Sequence, residues 1–265
     1  MQLIDPHLHI DSRSVEDLQQ MSMAGIKAVV SQVYYPHYNV TITSNTYFDY
    51  YDRHINYEPV RVREELIETY LGVGLNMVAV PKDWEKVVEA LPDYLTKNRV
   101  VCLGEIGLEP TSDTADLAEQ EELLKAQLEV ARNHDVPVAF HTPLNEKEKW
   151  IAKYADLIAD AKLDKTRVVI DHATPSVVKH IWEIGCYAGI TVQPWRSVTP
   201  LDAAKVVAEG ENLDRLMINS DCSPKISDAL AVPKAAFEMR KLGVKDLDIQ
   251  QIVLDNPIRF FNLSI

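Results

Sequence analysis

The 265-residue chain has little of what several common protein classes are built from. Its three cysteines, Cys102, Cys186 and Cys222, are odd in number and far apart, and no CxxC pair is present to suggest a zinc knuckle or a redox site. They read as reduced thiols. No apolar run approaches the roughly 20 residues of a spanning helix, and "MQLIDPHL" lacks a basic segment followed by an apolar one, so the expectation is a soluble, cytoplasmic protein without a membrane partner. Basic residues are scarce as well: 27 Lys and Arg stand against 40 Asp and Glu, a formal charge of −13. That balance disfavours a broad footprint for nucleic acid, although a locally basic pocket is compatible with it. Neither a GxGxxG nor a GxxxxGK[ST] loop follows the first apolar run, which argues against a doubly wound nucleotide-binding sheet.

What is present is a regular alternation. With 46% hydrophobic residues and no linker rich in Gly, Pro or Ser, the chain reads as one domain over 1–265 with a substantial core. Eight short apolar, β-branched runs recur at 3–10, 27–33, 72–80, 100–108, 136–142, 167–173, 188–194 and 216–222. Helix candidates lie between them, among them "KDWEKVVEALPDYLTK", "AEQEELLKAQLEVARNH", "NEKEKWIAKYADLIADA" and "PKAAFEMRKLGV". In the second of these, Leu123, Leu124, Leu128 and Ala131 make one apolar stripe. Strands apolar on both faces and joined by helices require a parallel sheet covered on both sides; eight such units predict a (β/α)8 TIM barrel. One connection is unusually long, a tyrosine-rich stretch at 34–63 that reads as an inserted βα loop, on the catalytic face of a barrel and able to act as a lid. Tyr34, Tyr35, His37, Arg53 and His54 are its candidate substrate contacts, against the plainer reading that its rings pack the insertion onto the rim.

Histidines and carboxylates gather where such a barrel places its site. His7 and His9 end the first run, Glu105 the fourth, His141 the fifth, His172 the sixth and Asp221 the eighth, so all six converge on one mouth. Singly, each histidine is unremarkable. Together, four imidazoles and two carboxylates in one cavity call for cations to compensate them. Six ligands exceed the three of a single catalytic zinc, so two divalent ions are expected, with His7, His9, Glu105 and Asp221 on one and Glu105, His141 and His172 on the other. Glu105 is the bridge. Oxygen and nitrogen ligands without thiolate suit Zn, Mn, Ni, Co or Mg, with zinc the leading expectation. A water between two such ions, acidified to a pKa near or below ~7, would be the nucleophile, and Asp221 would relay its proton to the leaving group.

The series HxH, "GEIGL", "HTP", "DHA" and "SDCSP", closing with "DNPIRFFNLS", resembles the TatD-like hydrolases of the amidohydrolase superfamily over nearly the whole chain. The resemblance implies a (β/α)8 barrel, divalent metals and ligands at His7, His9, Glu105, His141, His172 and Asp221. Departures bear on substrate more than on chemistry. "GLNMVAVP" stands where the family's nucleases have G-x-H-P, with Asn76 nearest the missing histidine. Asn219 and Ser220 replace the common "ET", and "HATPS" replaces "HxFSG". Trp195 and Arg196, after the seventh run, are further candidate substrate contacts, able to stack on and clamp a nucleotide or to be a rim pair. The expected activity is cleavage of an ester, amide or phosphoester bond in a small molecule; the alternative is a TatD-type nuclease acting on nucleic-acid ends. A non-catalytic binding barrel would have a broken ligand set, and here all six residues are intact.

Overall fold

Each of the eight apolar runs contributes to a strand of one parallel sheet, ordered β1 to β8 as in the chain. The computed structural model describes residues 1–34, 42–194 and 198–265. The strands are β1 (Leu3–Leu8), β2 (Ile26–Ser31), β3 (Glu68–Val73), β4 (Val100–Gly107), β5 (Val138–His141), β6 (Val168–Ala173), β7 (Tyr187–Thr191) and β8 (Leu216–Asn219). Hydrogen bonds from Asp221 N to His7 O and from His9 N to Cys222 O, both 2.8 Å, join the last strand to the first just past the end of β8. The sheet thereby becomes a nearly closed (β/α)8 barrel.

The helices are α1 (Val15–Met23), α2 (Ser44–Asn56), α3 (Glu58–Arg63), α4 (Trp84–Leu95), α5 (Leu117–His134), α6 (Lys147–Asp160), α7 (Val178–Ile184), α8 (Pro200–Ala208), α9 (Ala231–Lys241), α10 (Asp246–Gln250) and α11 (Asn256–Phe261). Helix α5 shows why they form. Asp116 caps it by accepting from Ala118 N and Glu119 N, each at 2.9 Å, and the stripe Leu123, Leu124, Leu128 and Ala131 is buried in the layer between helices and sheet. All three cysteines are free and buried.

Two expectations are corrected. The third strand is 68–73 rather than 72–80: after Val73 the chain leaves the sheet, Leu75 N donates to Gln127 Oε1 of α5 at 2.7 Å, and Asn76 to Ala79 form a turn. The apolar character of 74–80 reports burial, which strand and packed loop share. The stretch 34–63 is not one loop either. Its residues from 44 onward are α2 and α3, and Tyr47 and Tyr51, four apart on one face of α2, are fully buried with their hydroxyls on Ala79 O (2.9 Å) and Gly74 O (2.7 Å). These two rings pack the crossover onto the barrel.

The end of the barrel away from the strands' C-termini is plugged by the chain's own C-terminus. Ile4, Val30, Tyr70, Val169 and Met217, from five strands, share a cluster with Phe260, Phe261 and Leu263. Asn256 Nδ2 donates to Leu213 O (2.6 Å) and Leu216 O (2.7 Å), Arg259 donates to Asn256 Oδ1 (2.8 Å), and Ser264 N donates to Tyr70 Oη (3.1 Å). The closing "DNPIRFFNLS" is therefore a structural clasp. Phe261→Ala should cost about 3–5 kcal/mol by opening a cavity in the plug, read as a lowered Tm with metal stoichiometry unchanged. A Tm like that of the parent would show that the clasp is not needed.

Candidate metal centre

Three strands lose their regular register where they deliver site residues: β1 between Asp5 and Leu8, β4 between Gly104 and Ile106, and β6 between Ile170 and Ala173. Such bulges turn a side chain out of strict alternation, and here they re-aim His7, Glu105 and His172. His172 and Asp221 also have left-handed backbone, with φ of +59° and +44°. For a non-glycine residue each costs of order 1–3 kcal/mol, which the surrounding structure must hold in place.

All six residues meet at the C-terminal mouth. Glu105 is central: its Oε2 lies 3.5 Å from His7 Nε2 and 3.6 Å from His9 Nε2, while its Oε1 lies 2.9 Å from His172 Nε2 and 2.5 Å from His141 Nδ1. Asp221 Oδ1 is 3.2 Å from His9 Nε2 and 3.9 Å from His7 Nε2, and its Oδ2 is 3.7 Å from His172 Nδ1. Among the described residues, three triads have donor atoms all within 4.8 Å of one another, namely His7–His9–Glu105, His7–His172–Asp221 and Glu105–His141–His172. The groups fit divalent cations. His7 Nε2 is fully buried without a hydrogen-bond partner, an arrangement that is costly unless an electron-pair acceptor occupies the space it faces.

The electrostatics agree. Burial alone would raise the Glu105 carboxyl, yet His141, His172 and His7 hold its pKa well below the usual carboxylate value. Burial alone would lower the His7 imidazole, but Asp171, then Glu105, hold it well above the ordinary histidine value. Protons and cations therefore compete for the same atoms, so metal uptake releases protons and weakens in acid.

Around these groups lies a set of partners that the motifs did not reveal. Asp171 Oδ2 accepts from His7 Nδ1 at 2.8 Å, Gln32 O from His9 Nδ1 at 3.1 Å, and Glu109 Oε2 pairs with His141 Nε2 at 3.2 Å. Asp171 directly precedes His172, and alternation alone would send the two to opposite faces; the bulge in β6 brings both inward. Glu109 directly follows the "GEIGL" string, and that adjacency was the available signal.

Of the other substrate-contact candidates, Tyr34 stands with its ring 4.4 Å from that of His9. Arg53 pairs with Glu58 at 3.0 Å, and His54 is buried with Nε2 on Ser31 O at 3.1 Å. Asn76 is buried, its Oδ1 accepting from Val78 N at 3.0 Å. Tyr35, His37, Trp195 and Arg196 lie outside the described residues. Five of the six central residues are at most 3% exposed, whereas the side chains of His141 and Glu109 are 13% and 14% exposed. The centre's edge at His141 borders a cleft of about 340 Å³ whose walls include Glu109, Thr111, Asn145, Trp150 and Lys225.

A nearly closed (β/α)8 barrel with His, Glu and Asp clusters at its mouth is the architecture of the metal-dependent hydrolases. The chain belongs to the TatD family: the model described as TatD related DNase matches residues 4–262. It is 30% identical over 261 residues to a metal-dependent hydrolase of Methanocaldococcus jannaschii, covering 98% of this chain and 100% of that one. Among solved structures it is similar to a TatD-like protein from Archaeoglobus fulgidus (28% identity, TM-score 0.80, 98% and 100% coverage). It shares its fold with a phosphotriesterase homology protein from Escherichia coli that holds phosphate in its active site (14% identity, TM-score 0.74, 98% of each chain).

Glu109 supplies a test of the surroundings. Burial opposes its ionisation, but hydrogen bonds from His141 and Thr111 bring its pKa from the ordinary 4.5 down to about 2. A depressed carboxylate stabilises the fold above its unfolded pKa and stops doing so as pH falls through the folded one. Metal-free protein should therefore exceed Glu109→Gln in stability above pH 4.5, the gap closing towards pH 2, in paired denaturant titrations. A gap independent of pH would contradict the assignment.

Proposed function

We propose that this member of the TatD family hydrolyses an ester, amide or phosphoester bond in a small substrate with the help of two divalent cations. His7, His9, Glu105 and Asp221 would hold one, and Glu105, His141 and His172 the other. The observation that carries the reading is the division of Glu105, one carboxylate oxygen facing the His7–His9 pair and the other the His141–His172 pair. Zinc is the ion proposed, because four imidazoles and no thiolate make up the nitrogen and sulfur side of the set. Bound, the cations would acidify water and polarise the oxygen of the scissile group.

The protein's own groups do the rest. Asp221, on left-handed backbone fixed by its N–H to His7 O, keeps a carboxylate at the mouth that can take a proton from attacking water at one oxygen and return it to the leaving group. Among the described residues of the centre, His141 is the more exposed histidine, so substrate is proposed to enter from the adjoining cleft. A volume of about 340 Å³ suits a small molecule. The formal charge of −13 also favours a small substrate over a polyanion.

A second reading, a nuclease acting on DNA or RNA ends, is supported by the description of the matching family as DNase-related. The two separate on a panel of p-nitrophenyl esters, anilides and phosphodiesters run beside 3′- and 5′-labelled oligonucleotides. Asp221→Asn should lower turnover by about 10²–10⁴ on the preferred substrate, as expected for loss of a general base, with a smaller loss of bound metal. Turnover that falls only in proportion to metal content would reduce Asp221 to a ligand.

A further inference from the structure

Beneath the centre runs an unbroken chain of hydrogen bonds that the proposed chemistry does not use. From His7 it passes to Asp171 (Nδ1 to Oδ2, 2.8 Å), and the other oxygen of Asp171 accepts from Asn219 Nδ2 at 2.8 Å. Asn219 Oδ1 accepts from the Thr191 hydroxyl at 2.8 Å, and Thr191 Oγ1 meets His172 Nδ1 at 2.9 Å. Every member is 3% exposed or less.

The direction of each bond follows from the amide in the middle. Asn219 Nδ2 can only donate, so it must face Asp171; turned over, its oxygen would oppose a carboxylate oxygen, two acceptors in contact. Asn219 Oδ1 can only accept, which claims the Thr191 proton, and Thr191 Oγ1 then accepts from His172 Nδ1–H. At the other end Asp171 accepts from His7 Nδ1–H. Both imidazoles thus carry hydrogen on Nδ1, which leaves Nε2, the atom each turns towards Glu105, to give up its own proton and offer a lone pair when a cation binds. His7 belongs to one half of the centre and His172 to the other.

We propose that Asp171, Asn219 and Thr191 are positioning residues that couple the two metal-binding halves through one shared hydrogen-bonded chain. This rests on the reading that the clusters hold metal ions. Only an amide at 219 serves both directions: a carboxylate would repel Asp171, and an apolar residue would leave two buried groups unpaired. The chain also needs a gap in β7. A Cβ added at Gly189 would lie 1.8 Å from Asp171 Oδ1 and 3.2 Å from Asn219 Nδ2, so the missing side chain there is what admits the Asp171–Asn219 bond. Thr191 and Asn219 are register partners across β7 and β8, which fixes the remaining link.

The test uses Thr191→Val, nearly isosteric and touching only the His172 end. Metal-free protein is titrated with zinc against a chromophoric chelator and with cobalt followed by its visible spectrum. These report the affinity and ligand field of each equivalent without reference to turnover. The expected result is that both equivalents weaken, each by about 10–100-fold as for lost ligand-orienting partners, and that Thr191→Ser restores both. Weakening of one equivalent alone, or of neither, would overturn the coupling. Should Thr191→Val melt before titration, Asn219→Asp is read the same way and must weaken both equivalents. Wild type that takes up no metal would overturn the metal reading itself; two equivalents in wild type with only one sensitive to Thr191→Val would overturn the coupling alone.

Discussion

A carboxylate buried among four imidazoles is the constraint on which the rest of this structure depends. Glu105 and Asp221, each 3% exposed, carry charge that the barrel cannot leave unpaired, and the histidines around them bring lone pairs or protons that compete for one small volume. The polypeptide accommodates this with three strand bulges and two left-handed residues, all at the C-terminal ends of strands. These three bulges border the candidate metal centre, and the apolar plug of Phe260, Phe261 and Leu263 lies at the other end, where it can stabilise the barrel without entering the site.

The division of labour between shells of residues follows from the same constraint. Four rings with their Nε2 or Nδ1 atoms turned inward must each satisfy the nitrogen turned outward, and each does so differently: a carboxylate for His7, a backbone carbonyl for His9, a partly exposed carboxylate for His141 and a hydroxyl for His172. These partners fix which nitrogen carries hydrogen, and hence where each lone pair points. Among the described residues, the accessible edge is that of His141 and Glu109, beside the cleft. Access and protection are thus set by which histidine has the exposed partner.

Much of this was legible in residue order alone. Eight apolar runs with helical stretches between them admit few architectures, and His7, His9, Glu105, His141, His172 and Asp221 each stand at the close of such a run, so convergence at one mouth follows from barrel geometry. Less legible was anything that depends on departure from regular period. The run at 72–80 looked like a strand because burial in a loop against α5 demands the same apolar residues. The stretch 34–63 looked like one loop because aromatic content does not distinguish a rim loop from a helix face such as that of Tyr47 and Tyr51. Asp171 escaped notice because strict alternation places it opposite His172, and only the β6 bulge turns both inward. Asn219 stood out as a departure from the family pattern, but its purpose needs the three-dimensional neighbours Asp171, Thr191 and Gly189.

The proposed chemistry depends on two cations sharing the Glu105 carboxylate. The most direct measurement is the metal content per chain, by plasma mass spectrometry, of protein purified without chelator or nickel resin, for wild type beside Glu105→Ala. Near two equivalents in wild type and loss of both in the variant is the result that the shared carboxylate predicts. Metal-free wild type that also takes up neither zinc nor manganese, or a Glu105→Ala protein that keeps both ions, would contradict it.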